Sequence, residues 1–182
     1  MSGDFTALVI AVVAVLGTLS ASIVTQRLSA RAQQQSFEFQ RLLRIEEYDR
    51  GRREAILAAD RSCYVTMLAT SQRYRIELVN HLHTIQEGTV NDTGRDSLEN
   101  ARQAYAASFA ETELTATVSV LTPVRSVNRI LSESFRAIKH LERGEPEPDH
   151  SFEEIRTSLL QTISEPWVEM RGAMRDDLGV AD

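Results

Sequence analysis

Histidine and cysteine are the residue types in this chain that most readily bind a metal ion or act as nucleophiles. His81 and His83 are two residues apart, so on a helix they point about 200° away from each other and cannot share a metal ion. Glu77 and His81 share one helix face, where we expect a pair on the helix surface. No predicted helix carries the Glu-x-x-His motif of di-metal bundles, and His140 and His150 only flank an acidic linker. We therefore predict no metal site.

The sequence also offers no recognisable catalytic machinery. Cys63, the single cysteine, lies on an apolar stripe, and no general base is identifiable beside it. It is predicted to be a small core residue, and a single cysteine excludes an intramolecular disulfide. The chain has no Gly-x-Ser-x-Gly elbow, no phosphate-binding glycine loop and no dinucleotide turn. We expect a protein that is not an enzyme and that binds no cofactor.

The composition narrows the fold class and the partners. The 182 residues include 20 Lys plus Arg against 26 Asp plus Glu, which gives a formal net charge of -6. Because nucleic-acid binding normally requires a basic face, we expect no nucleic-acid partner. Eight Gly and four Pro are few for the many turns of an all-β fold. The abundance of Ala, Leu, Arg, Glu and Gln predicts an all-α protein.

Residues Phe5–Val24 read FTALVIAVVAVLGTLSASIV and carry no charged side chain. Their number matches the roughly 20 residues that a helix needs to cross a bilayer. A buried core helix is one alternative, but it would need partners around its whole circumference. A cleaved signal peptide is another, but residues 1–4 lack the basic side chains that it requires. We predict a retained transmembrane helix, with the lipid bilayer as a partner.

Basic side chains flank this predicted span on one side only. Arg27, Arg31, Arg41 and Arg44 follow it, and none precedes it. Basic flanks stay preferentially in the cytoplasm. We therefore predict a single-pass protein of the cell membrane, with residues 1–4 outside and the C-terminal domain in the cytoplasm.

Small residues recur at three- and four-residue spacings along the predicted span: Ala7, Ala11, Ala14, Gly17 and Ala21. Small side chains allow two membrane helices to approach closely, so this stripe is a candidate transmembrane contact between copies of the chain. Ala and Gly are also common in membrane helices that do not associate. A homo-oligomer is therefore one expectation beside a monomer.

The predicted span continues into a helical stalk over residues 25–50. A narrow apolar seam follows it at Leu28, Ala32, Gln35, Phe39 and Leu42, but two heptads are too few to predict a coiled coil. The stripe widens beyond residue 50 and predicts a helical bundle over 51–178. We expect the chain to fray from Asp176, leaving 179–182 as a tail. The wider stripe comprises Ile56, Leu57, Cys63, Tyr64, Met67, Leu68, Ser71, Tyr74, Leu78, Leu82 and Ile85.

Turn signals divide the bundle into helices. The segment 88–94 is rich in Gly, Asn and Asp and predicts a chain reversal. Asp96 and Glu99 form a capping-box pattern that predicts the start of the next helix. We expect that helix to run to Arg143 with a kink at Thr122–Pro123, and two antiparallel helices are the alternative. The predicted architecture is an antiparallel three-helix bundle, with a four-helix bundle as the alternative.

The predicted length of that second helix has a consequence for packing. At about 1.5 Å per residue it would run back to the level of Phe39. It would then place Phe135, Ile138 and Leu141 beside Phe39 and the neighbouring apolar side chains of the stalk.

The C-terminal part of the bundle begins after an acidic linker, 144–150. Ser151 and Glu154 form a second capping-box pattern and predict the start of the last helix. Its apolar face includes Trp167, which we expect in the core, and a kink or restart is predicted near Ser164–Pro166.

These expectations favour a membrane tether or protein-protein interaction module, whose protein partner the sequence does not identify. Two other classes stay open. In a transmembrane signalling or sensor module, the stalk would transmit motion between membrane and bundle. In a membrane-perturbing effector of the defence or lysis type, oligomerisation through the small-residue stripe would open the bilayer, although one uncharged span makes an aqueous lining hard to build.

Overall fold

The structure, a computed structural model, describes residues 3–145 and 151–180; for residues 3–40, 42 and 43 the backbone alone is described. All regular structure in these ranges is helical, as predicted. The elements are α1 (Gly3–Glu87), α2 (Asp92–Thr115), α3 (Val118–Glu142), α4 (Phe152–Thr157), a π-helical turn (Ser158–Thr162) and α5 (Ser164–Asp177).

The chain divides into two compact units, residues 1–54 and 55–182. Side-chain contacts within the second unit give the helix directions. Cys63 of α1 contacts Thr112 of α2, whereas Tyr74, further along α1, stacks on Tyr105, nearer the start of α2. The two helices are therefore antiparallel.

The same reasoning makes α3 antiparallel to α2, because Tyr105 pairs with Asn128 and Arg95 pairs with Glu142. The second unit is thus a bundle of four helical segments: the end of α1, α2, α3, and α4 with α5. The four-helix alternative is correct, and the three-helix prediction is wrong.

The error concerns the place where the chain reverses between α2 and α3. Ala116 and Thr117 are both extended, with φ/ψ of -79°/152° and -69°/161°. Threonine and valine residues crowd this stretch and lower its helix propensity. Thr117 occupies the N-cap position of α3, although its side chain makes no capping hydrogen bond. Pro123, where we predicted the break, lies inside α3 instead. It is the sixth residue of α3, so it removes the backbone hydrogen bond to the carbonyl of Ser119, and the helix nevertheless continues through it.

This reversal shortens the helices and changes their partners. Phe135 packs on Tyr74, with ring centroids 6.4 Å apart, and Ile138 is fully buried in the bundle. The predicted packing of this part of α3 beside Phe39 assumed one helix from Asp96 to Arg143, which the reversal rules out, and the side chain of Phe39 lies outside the described residues.

Local signals placed several helix ends correctly. Gly88 follows α1 with a positive φ of 68°, and Thr89 N donates to Thr84 O at 2.9 Å, which closes the helix. The capping box of Ser151 with Glu154 is present at the start of α4. The helix also restarts at Ser164, as predicted.

One predicted helix start is wrong. α2 begins at Asp92 rather than at Asp96, because Asn91 is the N-cap and its side-chain oxygen accepts from Gly94 N at 2.8 Å.

The core lies where the four segments meet, and most of the predicted α1 stripe faces it. Ile56 and Leu57 are the exceptions, since both are about half exposed. The largest fully buried side chains come from all four segments: Met67, Leu78, Leu98, Leu131, Ile138, Ile155, Leu159, Ile163, Met170 and Met174.

Within the parts of the chain that the structure describes, no helix combines the length and the apolar character needed to cross a membrane. The predicted span, Phe5–Val24, lies in the part of α1 whose side chains fall outside the described residues, as does the stalk seam up to Leu42.

Candidate functional site

The predicted contact stripe of Ala7, Ala11, Ala14, Gly17 and Ala21 lies outside the residues whose side chains are described. Candidate sites are therefore drawn from the bundle. Three groups of polar or aromatic side chains occur there: an ionic cluster around Glu142, a hydrogen-bonded group around Asp177, and an aromatic cleft between α2 and α3.

The Glu142 cluster joins three helices. Glu142, at the end of α3, accepts hydrogen bonds from Arg95 Nε at 2.6 Å and from Lys139 Nζ at 2.7 Å. His81 Nε2 of α1 lies 3.4 Å from the same carboxylate. His81 is 3 % exposed, so the predicted surface pair of Glu77 with His81 is wrong. Position 81 faces α3 rather than solvent.

The Glu142 carboxyl has a strongly shifted pKa. Burial by itself would raise the pKa of Glu142, but the hydrogen bonds from Lys139, Arg95 and His81 outweigh it and lower the pKa to about 2. The group is therefore an anion at neutral pH with each oxygen already occupied. Such an anion acts as a crosslink between helices, since its three hydrogen-bond partners come from α1, α2 and α3.

A metal site is not visible either. Among residues 3–145 and 151–180, no three His, Cys, Asp or Glu side chains are grouped as a metal ion requires. His81 and His83 diverge as the helical spacing predicts: His83 pairs with Glu87 at 3.2 Å on the exposed side of α1.

The Asp177 group closes the other end of the bundle. Asp177 of α5 accepts from Tyr64 at 2.6 Å and from Thr117 at 2.7 Å. Beside it, Cys63 is buried and its Sγ lies 3.5 Å from the hydroxyl of Thr112, so its predicted place in the core is confirmed. Asp177 is held by two partners, which contradicts the predicted fraying from Asp176.

Trp167 and the π-helical turn meet at Arg75 of α1. The Arg75 guanidinium lies 5.7 Å from the Trp167 ring, and its Nη1 donates to Leu159 O at 3.4 Å. Trp167 packs against the core but stays partly exposed, so its predicted core position is only partly correct. The π-helical turn puts an extra residue into the helix and so offers a carbonyl group that an α-helix would use itself.

The aromatic cleft has a volume of about 180 Å³ and opens between α2 and α3. Four aromatic rings line it: Tyr74 stacks on Tyr105 with centroids 5.3 Å apart, and Phe135 and Phe109 flank this pair at 6.4 and 6.2 Å. The Arg102 guanidinium lies 5.6 Å from the centroid of the Phe135 ring. The full lining is Tyr74, Arg102, Tyr105, Ala106, Phe109, Asn128, Ser132 and Phe135.

The polar atoms of the cleft are only partly paired. Tyr105 donates to Asn128 Oδ1 at 3.1 Å, and Arg102 makes two hydrogen bonds to Glu99, at 2.8 and 2.6 Å. Arg102 together with Gln103 lowers the pKa of Glu99 to about 2. Tyr74 is 3 % exposed, yet none of the described residues hydrogen-bonds to its hydroxyl.

The sequence pattern placed Tyr74 on an apolar stripe but did not predict the cleft. Arg102 and Asn128 lie on different helices, and only the reversal at Ala116 and Thr117 brings them to the same opening. Aromatic residues at helical spacing on two segments were the only available signal, and core packing explains such a pattern equally well.

The chain matches no protein-family model, no curated protein and no solved structure.

Proposed function

We propose that the protein is a single-pass membrane tether whose helical bundle is a protein-protein interaction module on the cytoplasmic face. The carrying observation is the uncharged segment Phe5–Val24 at the beginning of α1, followed by basic residues on one side only. Uncharged apolar segments of this length partition into bilayers, and the basic flank orients them.

A surface of α1 within the first unit supports the interaction role. Ile45 and Tyr48 are 49 % and 71 % exposed and share one face of α1 with Arg41 and Arg44. Tyrosine and arginine next to an apolar side chain are enriched where proteins bind one another. The bundle supplies no grouped metal ligands in its described part, which leaves binding as the simpler role.

Membrane extraction tests the tether directly. The full-length protein is expected in the membrane pellet after alkaline carbonate washing and in solution only with detergent. Val13→Asp places a charge in the middle of the span at a cost of about 3 kcal/mol and is expected to move protein into the soluble fraction, whereas Val13→Leu is not. Recovery of the unaltered chain in the soluble fraction without detergent would contradict the proposal.

The orientation is tested with fusions after Asp182. Alkaline phosphatase, which needs an oxidising compartment, is expected to be inactive there, and a cytoplasmic reporter at the same place is expected to be active. An active phosphatase would reverse the orientation.

Photocrosslinking tests the interaction role. A photoreactive side chain replacing Tyr48 is expected to yield a defined crosslinked product in native membranes, with the same group at exposed Glu133 as the control. No product from Tyr48, or the same products from both positions, would count against an interaction surface on α1.

The effector alternative makes a distinct prediction. If the small-residue stripe opens the bilayer, expression will depolarise cells, and Gly17→Leu with Ala21→Leu will abolish the effect. Unchanged membrane potential is the result expected for a tether.

A further inference from the structure

We propose that the aromatic cleft between α2 and α3 binds a small phenol, that is, one aromatic ring bearing a hydroxyl group. Its size sets the first limit on the ligand. A protein cavity of about 150 Å³ can hold one benzene ring. The cleft, at about 180 Å³, has room for one ring with a small substituent and is too small for most drug-sized molecules.

The walls favour a planar ring over an aliphatic chain. Tyr74, Tyr105 and Phe135 line the cleft, with ring centroids 5.3 to 6.4 Å apart. The two tyrosines stack on each other and Arg102 lies over Phe135, so a ligand ring meets mainly ring edges here. An added ring can stack on such a group or meet it edge to face. Phe109 and Phe135 stay partly exposed, so a ligand can enter without unfolding of the bundle.

The polar groups favour a hydroxyl substituent. The Tyr74 hydroxyl has no hydrogen-bond partner among the described residues. Most of the side chain is buried, but the oxygen is not among the buried unpaired side-chain atoms of these residues, so it keeps contact with the opening. Asn128 accepts from Tyr105 through Oδ1, which leaves its amide hydrogens to donate, and Ser132 adds an exposed hydroxyl. A phenolic hydroxyl can donate to one of these groups and accept from another.

The charges favour a neutral ligand. Arg102 is a cation at the rim, but Glu99 already neutralises it through two hydrogen bonds. A ligand carboxylate would have to compete with Glu99 for that guanidinium, whereas a neutral hydroxyl needs no counter-ion.

Fluorine NMR of the full-length protein with 4-fluorophenol tests the site. We expect line broadening of the 4-fluorophenol signal that excess unlabelled phenol reverses. Ala106→Leu adds bulk to the cleft lining at an exposed position of α2, and Ala107→Leu adds the same bulk at the next exposed position, which does not line the cleft. The first variant is expected to lose at least ten-fold in affinity, and the second to bind as the unaltered protein does.

Two results would overturn the site. One is the absence of saturable broadening with the unaltered protein. The other is equal binding to the Ala106→Leu and Ala107→Leu proteins, which would indicate adsorption elsewhere, including into any detergent present.

A second comparison tests the role of the hydroxyl. Tyr74→Phe keeps the ring and removes the unpaired hydroxyl, so affinity for 4-fluorophenol is expected to fall roughly five-fold while that for 4-fluorotoluene stays constant. Equal affinities of the unaltered protein for the two probes would overturn the phenol assignment. Both measurements are independent of the chain's location, so failure of the tether proposal would leave this one standing.

Discussion

The ionic cluster and the aromatic cleft of the bundle differ in how completely their polar groups are paired. At Glu142, three cationic or potentially cationic side chains occupy one carboxylate. In the cleft, the Tyr74 hydroxyl of an almost fully buried residue has no described partner. The Glu142 cluster contains more ionisable side chains than the cleft, but these side chains bind one another and hold helices together. The cleft contains the groups that are still available to a ligand.

Two tyrosines of α1 show the same difference with one residue type. Tyr64 and Tyr74 are 2 % and 3 % exposed, and burial raises the pKa of both. Tyr64 donates to Asp177 at 2.6 Å, whereas Tyr74 opens into the cleft. The exposed fraction of a side chain therefore does not distinguish a polar group that stabilises the fold from one that is available to a ligand. The hydrogen-bond partners do.

The largest expected effect belongs to the cluster. Glu142→Gln removes the charge that Arg95 and Lys139 pair with, and we expect it to lower the free energy of unfolding by about 2 to 3 kcal/mol. Urea unfolding followed by circular dichroism measures this. Glu133→Gln, an exposed change on the same helix, is the matched control and is expected to cost less than about 0.5 kcal/mol. Similar losses in both would show that the cluster is not a crosslink.

The stabilisation by Glu142 should also depend on pH. Its pKa is about 2 in the folded protein against the ordinary value of 4.5, so its contribution is complete above pH 4.5. That contribution is lost as the pH falls from about 4.5 to about 2, because the unfolded chain takes up the proton first. Unfolding of the unaltered and Glu142→Gln proteins at several pH values is expected to show a stability difference that shrinks over this interval.

The matched design removes other acidic groups from the comparison. Glu99 also has a lowered pKa, but it is present in both proteins and cancels in the difference. A stability difference that stays constant down to pH 2 would contradict the assigned pKa of Glu142.

Tyr64→Phe is expected to have an intermediate effect. It removes a hydrogen bond to a carboxylate and leaves Asp177 with Thr117 as its remaining partner, so we expect a loss of about 1.5 kcal/mol. The same unfolding measurement applies, with Tyr48→Phe at an exposed position as the control. A loss of stability no larger than that of the control would show that the Tyr64 hydroxyl, like the Tyr74 hydroxyl, contributes little to stability.

Tyr74→Phe is expected to have the smallest effect on stability. Since its hydroxyl has no described partner, removing it is expected to change the free energy of unfolding by less than about 0.5 kcal/mol. A loss equal to that of Tyr64→Phe would show that the hydroxyl is structurally engaged and would remove the contrast between the two tyrosines.

Predictions that depend on neighbouring residues were correct, whereas features that depend on residues far apart along the chain were missed. Ser151 caps the helix that contains Glu154, three residues away, and Gly88 adopts the positive φ that ends α1. Both features need only neighbouring residues. His81 and Glu142 are 61 positions apart, and no local pattern relates them. The sequence pattern therefore could not predict that the residues of the Glu142 cluster lie together.

The predicted position of the chain reversal between α2 and α3 was wrong for a different reason. Pro123 is the stronger helix-breaking residue, yet it lies in the second turn of α3 and the helix continues through it. Ala116 and Thr117 carry weaker signals, yet both adopt the extended conformation, and the Thr117 side chain donates to Asp177 of α5. Local propensity thus ranks the two breakpoints in the opposite order from the structure.

The amino-acid order by itself determined that this protein is helical, where α1 and α3 end and where α4 begins, because hydrophobic periodicity, caps and positive-φ glycines act within one or two turns. Only the tertiary structure decided that the bundle has four helical segments, that side chains of three helices meet at Glu142, and that Tyr74 lines an opening. Those outcomes depend on which helix faces meet, and that is settled by packing among residues far apart along the chain.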